Sequence, residues 1–281
     1  MSKLREQMKM DLELRGYSPK TRDAYIGYMK KFALYFRRSP EELGETEIRE
    51  YLHHVISSKQ NSDSYVNGAY SAIKFFYEKT LGRDWNVAKI PRTKKSKRLP
   101  VALSGSEVKE LFAVTTNLKH RAILMTTYAA GLRLSETAQL KVTDVDSKRM
   151  QMRVRQGKGK KDRYTLLSVL NLEILQEYYR QYRPAIWLFP GQSPNGPISG
   201  RTIQKIFEKA KEKAGIKKPV TVHSLRHSFA THLLEAGTDI YHIQQLMGHA
   251  SPKTTSIYIH VRQPNVLRIT SPLDTLFGAE K

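Results

Sequence analysis

Apolar side chains recur at helical spacing along the chain up to Gly82. Residues 3–14 form an amphipathic stretch, and Ser18-Pro19 then provides an N-cap and a first helical position for a second helix. Two further helices are predicted from Thr46 and over residues 64–81. Their aromatic stripe has the spacing of a packed core, so the pattern predicts a helical N-terminal unit without catalytic residues.

The periodicity changes in the second part of the chain. A helix is predicted over residues 121–130, and residues 150–156 and 163–168 then alternate in polarity as strands do. Residues 157–162 form the connecting turn between these two strands, which predicts an antiparallel hairpin. Helices resume near Leu170. The pattern as a whole predicts a mainly α-helical protein with a small β-sheet, divided into two domains.

The composition shifts between residues 89 and 100, where two prolines disfavour helix and six basic side chains repel one another. We therefore expect one domain over residues 1–88, an extended basic linker over 89–100, and a second domain over 101–281. The linker is either a solvated tether or a strap that lies along DNA, and the overall charge favours the strap. Its candidate DNA contacts are Arg92, Lys94, Lys95, Lys97 and Arg98.

The charge balance restricts the partner more than any other property of the composition. Lysine and arginine number 48 against 26 acidic residues, for a net charge of +22. Such an excess repels itself unless a polyanion neutralises it, so nucleic acid is the expected partner. Ribosome-binding and basic membrane-surface proteins share this charge, but no basic amphipathic helix with a clean apolar face favours a membrane.

Other features of the composition narrow the class of protein further. No apolar run approaches the roughly 20 residues that span a bilayer, and the polar N-terminus has no signal-peptide core. The chain contains no cysteine, which excludes disulfides and thiolate metal sites. The sequence therefore predicts a soluble cytoplasmic protein without a membrane partner.

Two arginines have the surroundings expected of a phosphate-binding pair. When a protein nucleophile cleaves a phosphodiester, negative charge builds on the non-bridging oxygens, and guanidinium forks stabilise it. Arg133 and Arg226 each lie in what the pattern predicts to be an apolar or small-residue helix. Glu136, one turn after Arg133, is placed to hold that guanidinium through an i,i+3 ion pair. His223 lies three residues before Arg226, so both project from one helix face.

Tyr258 is the candidate nucleophile. It follows His249 by nine residues, on a short helix that Ser251 and Pro252 are suited to begin. A free phenol has a pKa near 10, about three units above neutral pH, so it needs a cationic pocket or a base. His223 and His249 are both candidate bases, and the residues do not decide between them. His227 is expected to hold the catalytic side chains in place without taking part in the reaction itself.

The turn 157–162 contains the candidate general acid. The leaving 5′-hydroxyl needs a proton, and a lysine in a Gly-Lys-Gly turn can approach DNA closely. Lys158 occupies that position, and Lys160 and Lys161 beside it are alternatives for the acid as well as candidate DNA contacts.

Metal- and nucleotide-dependent chemistries fit the sequence poorly. His223 and His227 have the spacing of a zinc pair but lack a third ligand. The glycine-lysine turn lacks the P-loop pattern, and no carboxylate cluster suits two-metal nuclease chemistry. We therefore expect neither a metal nor another cofactor.

Taken together, Arg133, Lys158, His223, Arg226, His249 and Tyr258 resemble the complete active site of the tyrosine recombinase (phage integrase) family, in its order and spacing. The resemblance covers essentially the whole chain and assigns the general acid to the first of the three lysines. It implies a clamp made of a helical SAM-like core-binding domain and a mixed α/β catalytic domain. It also implies strand exchange between paired DNA sites through a 3′-phosphotyrosyl intermediate and a Holliday junction, by four assembled protomers.

Within that family the chain is similar to compact Xer-like members with no arm-binding domain before residue 1. Its end, residues 271–277, is similar to that of integron integrases, although residues 164–223 leave little room for their extra helix. A mobile element is the expected source. Residues 266–281 are expected either to pack on their own domain or to dock on a neighbouring protomer, since they carry the apolar residues Val266, Leu267, Ile269, Leu273, Leu276 and Phe277.

Two other classes of protein remain open at this point. A type IB topoisomerase uses nearly the same residues but reseals the same strand, and a catalytically silent DNA-binding protein would share the charge. The compact helical N-terminal domain and the apolar tail disfavour the first class. The intact set of six residues disfavours the second.

Overall fold

A computed structural model describes residues 3–58, 61–86, 90, 92, 100–155, 162–193, 195–248 and 252–258. The chain divides into two compact units, Met1–Arg98 and Leu99–Lys281. Helices dominate both, and the second contains a small three-stranded sheet, which confirms the predicted fold class. No helix in these described ranges is long and apolar enough to cross a membrane.

The first unit contains the four helices that the apolar spacing predicts. Ser18 caps the second of them by accepting a hydrogen bond from the Thr21 N–H, as Ser18-Pro19 led us to expect. The predicted fourth helix changes to a π-helical turn over Phe76–Thr80 before it ends. The helices are α1 (Lys3–Leu14), α2 (Pro19–Phe36), α3 (Glu45–Ser57) and α4 (Asp63–Phe75), with a 3-10 turn over Pro40–Glu42.

Aromatic rings fill much of the core of this unit. Phe32 is fully buried and meets the Tyr51 ring edge to face, with centroids 5.1 Å apart. Ile90 is also buried, and its carbonyl accepts a hydrogen bond from the Tyr70 hydroxyl at 3.1 Å. The stripe of aromatic residues therefore forms a packed core, as predicted.

Within its described residues, the second unit begins with three helices and a small sheet and continues with five further helices. Its helices are α5 (Gly105–Ala113), α6 (Leu118–Ala129), α7 (Leu134–Ala138), α8 (Val169–Tyr182), α9 (Gly200–Lys213), α10 (Val222–Glu235), α11 (Ile240–Met247) and α12 (Pro252–Thr255). Its 3-10 turns are Val142–Asp144 and Ser256–Tyr258, and its strands are β1 (Val145–Asp146), β2 (Gln151–Val154) and β3 (Arg163–Leu166).

The sheet is antiparallel in the order β1-β2-β3. β2 and β3 are the two strands that the alternation predicts, and Val154 pairs with Arg163 at the end of their register. β1 was not predicted, because a strand of two residues carries no alternation. Met152 and Val154 are buried, so one face of the sheet packs on the core of the unit.

α10 lies between the core of the second unit and a smaller apolar cluster. Its Leu225 is buried in the core, and its Phe229 packs with Met247 of α11 and with Tyr258. The turn after α6 approaches this helix closely. Gly131 has φ +58°, and a Cβ at that position would overlap the Phe229 ring. Glycine thus allows the chain before Arg133 to lie against α10.

Candidate active site

Arg226 is the most deeply buried cation of the described site. Its side chain is 1% exposed, and it donates hydrogen bonds to the Gly131 carbonyl at 2.5 Å and to the Met247 carbonyl. Burial lowers the pKa of Arg226 to about 9, and the nearby Arg133 charge acts in the same direction. The guanidinium remains charged at neutral pH and joins the turn after α6 to the end of α11.

Arg133 lies immediately before a helix, and our expectation that it sits within one is wrong. Its backbone is extended, with φ −75° and ψ 154°, and it is the N-cap residue of α7. The physical reason is Glu136, whose Oε2 accepts the Arg133 backbone N–H at 2.9 Å and so caps the helix. The Arg133 guanidinium donates to Glu136 Oε1 at 2.6 Å and to the Gly248 carbonyl at 3.2 Å. The predicted i,i+3 ion pair is therefore present.

Glu136 is a buried carboxylate shared among arginines. Besides Arg133, it accepts two hydrogen bonds from Arg163, at 2.9 and 2.8 Å, and Arg226 Nη1 lies 3.7 Å away. Burial raises the pKa of Glu136, but hydrogen bonds and positive charge from Arg163 and Arg133 outweigh it and lower the pKa to about 2. Three guanidinium charges against one carboxylate leave an excess of two positive charges. The cluster suits an anion such as a phosphate.

His223 and His227 lie one turn apart on α10, with ring centroids 4.6 Å apart. Desolvation lowers the pKa of His223, and the charges of Arg226 and Arg133 lower it further. Burial lowers the pKa of His227 to about 4, and His223 and Arg226 contribute in the same direction. Both imidazoles are therefore neutral at pH 7, when each has one nitrogen able to accept a proton.

Tyr258 is the last residue of a 3-10 turn that continues α12, and its side chain is almost fully buried. The predicted helix start at Pro252 is confirmed. The Tyr258 hydroxyl lies 2.9 Å from His227 Nδ1, a direct contact with a residue that we expected only to support the site. Burial raises the pKa of Tyr258 to about 12, although Arg226 and Arg133 oppose the shift. The phenol is thus protonated, and a neutral imidazole contacts its hydroxyl.

Arg163 is a site residue that the sequence did not indicate. Along β3 the larger apolar side chains, Tyr164 and Leu166, are exposed, whereas Arg163 and Thr165 face inward. Alternation of polarity would therefore have placed Tyr164 and Leu166 on the buried face of this strand and Arg163 on the exposed face. One feature of the sequence could have indicated Arg163: it is the first residue of the strand that follows the lysine-rich segment.

Several predicted residues lie outside the described part of the chain. These are Lys158, Lys160, Lys161 and His249 of the site and Lys94, Lys95, Lys97 and Arg98 of the linker, together with the tail over residues 266–281. Of the candidate linker contacts, Arg92 is described. Its Nε donates to Asn67 Oδ1 at 2.7 Å and its guanidinium lies 5.8 Å from the Tyr70 ring centre. Arg92 is therefore tied to α4, and its contact with DNA remains a prediction.

Among the described residues, no group of three or more histidine and carboxylate side chains is arranged to hold a metal ion. Arginines, one carboxylate, imidazoles and a phenol make up the described site. This set can bind an anion and move a proton at the phenol oxygen.

Comparisons with known proteins identify the family. The sequence matches the phage integrase family over residues 86–264 and the N-terminal SAM-like domain of phage integrases over residues 4–87. A putative integrase/recombinase, y4qK, of Sinorhizobium fredii is 44% identical over 98% of this chain and 90% of its own length. The tyrosine recombinase XerA of Pyrococcus horikoshii is 35% identical over 92% of this chain and 90% of its own length.

The fold is also shared with solved structures. A crystal structure described as a lambda integrase dimer bound to a COC′ core site superposes with a TM-score of 0.76 and 20% identity, covering 92% of this chain and 95% of the other. The chain belongs to the phage integrase family, and it is a tyrosine recombinase, an enzyme of site-specific DNA recombination. The resemblance drawn from six residues is thus confirmed for the family.

Proposed function

We propose that Tyr258 attacks a DNA phosphate held by Arg133 and Arg226. The bond from the phenol oxygen to phosphorus forms, the bond from phosphorus to O5′ breaks, and the 3′ end remains joined to the enzyme as a phosphotyrosyl ester. This ester retains the energy of the broken backbone bond, so the 5′-hydroxyl of a partner strand can religate without ATP. Exchange of two strand pairs in succession then passes through a Holliday junction.

The convergence of these side chains at the end of α11 carries the proposal. Arg226 donates to the Met247 carbonyl, Arg133 donates to the Gly248 carbonyl, and Tyr258 packs in the same apolar cluster as Met247. Contacts within the protein hold these side chains in place, and electrostatic catalysis requires such preorganisation. The excess positive charge around Glu136 favours the transition-state phosphate over neutral ligands.

Two protons move during cleavage: one leaves the attacking phenol, and another reaches the leaving O5′. Tyr258 gives its proton to a neutral imidazole, and His227 is the described acceptor in contact with it. His223 lies beside His227, and His249 completes the proposed set. Lys158 protonates the leaving O5′ from the turn that follows β2. Lys160 and Lys161 contact the DNA backbone beside it.

Lys158→Ala should cleave ordinary DNA slowly but a 5′-bridging phosphorothiolate substrate at close to the wild-type rate. Loss of a general acid typically costs about 10²–10⁴-fold, and a sulfur leaving group departs without a proton. Single-turnover cleavage of the two substrates measures the ratio. Lys160→Ala and Lys161→Ala are the matched controls. If the sulfur substrate selectively rescued one of these variants instead, that lysine would be the general acid.

We further propose that four protomers act on two DNA sites, each as a clamp. Residues 1–88 would form the core-binding domain and residues 101–281 the catalytic domain, with residues 89–100 lying along the duplex between them. The net charge of +22 and the six basic residues of that segment support this arrangement. The apolar residues of the tail, 266–281, would dock on a neighbouring protomer. The enzyme would act in the cytoplasm, on the DNA of a mobile element.

Deleting residues 266–281 should leave binding to a single site nearly intact and abolish pairing of two sites. The reason is that the apolar tail would bury its surface on a neighbour and not on its own domain. Gel shifts on one-site DNA and native gels of two-site complexes measure the two properties. Equal loss of one-site binding and of thermal stability would show instead that the tail packs on the core of its own domain.

A supercoiled plasmid with two directly repeated sites tests recombination against topoisomerase activity. The sites can be recovered by selection from a random-sequence duplex pool. We expect two smaller circles that carry one site each. Relaxed plasmid of unchanged length as the single product would instead support a nicking-closing enzyme, and unchanged supercoiled plasmid a silent DNA-binding protein.

A further inference from the structure

Three consecutive carbonyls at the end of α11, those of residues 246–248, each accept a hydrogen bond from a different arginine. The pairs are Leu246 with Arg163, Met247 with Arg226, and Gly248 with Arg133. The last carbonyls of a helix have no partner within it and carry the negative end of its dipole, so cations are favoured there. The same three guanidiniums surround Glu136. One carboxylate and one helix end therefore hold the three arginines together.

The end of α11 supplies the second contact that fixes the Arg133 guanidinium. Nη1 of Arg133 donates to Glu136 at 2.6 Å, and Nη2 donates to the Gly248 carbonyl at 3.2 Å. A guanidinium held through one terminal nitrogen can pivot about that bond, whereas contacts at both terminal nitrogens set its plane. The Arg133 side chain is still 21% exposed, so an anion can reach it. Loss of the Gly248 contact would therefore leave Arg133 charged and in place but able to rotate.

Glycine is required at position 248 for two separable reasons. Gly248 ends α11 in the left-handed conformation, with φ +60°, which residues with a side chain disfavour. In addition, a Cβ at this position would lie 2.7 Å from Arg163 Cδ. Arg163 cannot yield easily, because its terminal nitrogens bond both oxygens of Glu136 and its Nε bonds the Leu246 carbonyl. A side chain at position 248 would therefore push the end of α11 away from the arginines.

We propose that the end of α11 orients the two arginines that hold the phosphate, and that Gly248 is the positioning residue of this contact. The inference rests on the function proposed above for Arg133 and Arg226. Arg226 also bonds the Gly131 carbonyl, at 2.5 Å, which keeps it in place when the end of α11 moves. A change at Gly248 therefore acts mainly on the orientation of Arg133.

Gly248→Ala tests the proposal by single-turnover cleavage of two substrates. We expect cleavage of ordinary DNA to fall by about 10²-fold, as for a catalytic group displaced by about 1 Å. The second substrate has a methylphosphonate at the cleaved position, which carries no negative charge and so depends less on the arginines. On that substrate the variant should cleave within a few-fold of the wild-type enzyme. A loss of folded protein would instead lower both rates equally.

Gly215→Ala is the matched control. Gly215 follows α9 with φ +65°, close to the value at Gly248, and an added Cβ would meet no atom of the described chain within 4 Å. It imposes similar backbone strain without an overlap, so both substrates should be cleaved at near wild-type rates. Gly248→Asn is a second variant, because asparagine tolerates the left-handed conformation but retains the Cβ. Thermal unfolding shows whether each variant is folded.

Equal losses on the two substrates by a folded Gly248 variant would overturn the proposal, and so would near wild-type cleavage of ordinary DNA. Failure of both Gly248 variants to fold would also overturn it, since Gly248 would then serve the fold alone. Arg133→Ala on the same substrates separates this inference from the function on which it rests. If the methylphosphonate does not reduce the Arg133→Ala defect, the phosphate role of Arg133 fails. If it reduces that defect but not the defect of Gly248→Ala, only the role of Gly248 fails.

Discussion

Tyr258→Phe should abolish DNA cleavage while leaving DNA affinity within a few-fold of wild type. The change removes one oxygen and leaves the buried ring in place, so Arg133 and Arg226 still bind the phosphate. Loss of a nucleophile typically lowers the rate by about 10⁴-fold or more. The covalent complex is scored on denaturing gels with a nicked substrate, and binding is measured by gel shift.

Tyr178 provides a matched control for this variant. It is also fully buried, and burial likewise raises its pKa to about 12, but within the described chain its hydroxyl has no hydrogen-bond partner. Tyr178→Phe should therefore cleave at the wild-type rate. A covalent complex formed by Tyr258→Phe at more than trace levels would assign the nucleophile to another residue.

Arg226→Lys should be nearly inactive although it keeps the charge. The guanidinium bonds two carbonyls on different elements, those of Gly131 and Met247, while it remains close to Glu136. A lysine ammonium is a point charge that cannot reproduce this fork, and it would leave a buried carbonyl without its donor. Loss of one such stabilising group typically costs about 10²–10³-fold in rate.

Single-turnover cleavage at saturating enzyme measures this loss, and thermal unfolding establishes that the variant is folded. Arg180→Lys is the control, because Arg180 is exposed on α8 and its Nε bonds a carbonyl of its own helix. Cleavage by Arg226→Lys within a few-fold of wild type would show that the guanidinium of Arg226 is not needed to stabilise the transition state.

The sequence predicted those parts of the site that local spacing determines. The placement of His223 and Arg226 one turn apart follows from helical geometry. The pair of Arg133 and Glu136 follows from their spacing of three residues, although it forms at the N-terminal cap of α7 and not within the helix. The start of the helix before Tyr258 follows from proline at its first position. The same local signals predicted the helices of the first unit and the β2-β3 hairpin.

Contacts between distant residues were not predictable in this way. His227 meets Tyr258 across 31 positions of sequence, because α10 packs against the 3-10 turn that ends at the tyrosine. Arg163 faces inward although its apolar neighbours would suggest the opposite face, since buried Glu136 provides it with a partner. Burial and charge pairing decided these positions, and neither leaves a periodic signal in the sequence.

The central claim is that Tyr258 forms a 3′-phosphotyrosyl bond with DNA, and peptide mapping of a trapped complex tests it. A selected site, nicked at each position across its centre in turn, lets the short 5′-hydroxyl fragment diffuse away and blocks religation. Trypsin should release Thr254–Arg262, which contains a single tyrosine. The account predicts that mass spectrometry finds the DNA on Tyr258 of this peptide, linked through a 3′-phosphate. DNA attached to another residue, or linked through its 5′ end, would contradict the account.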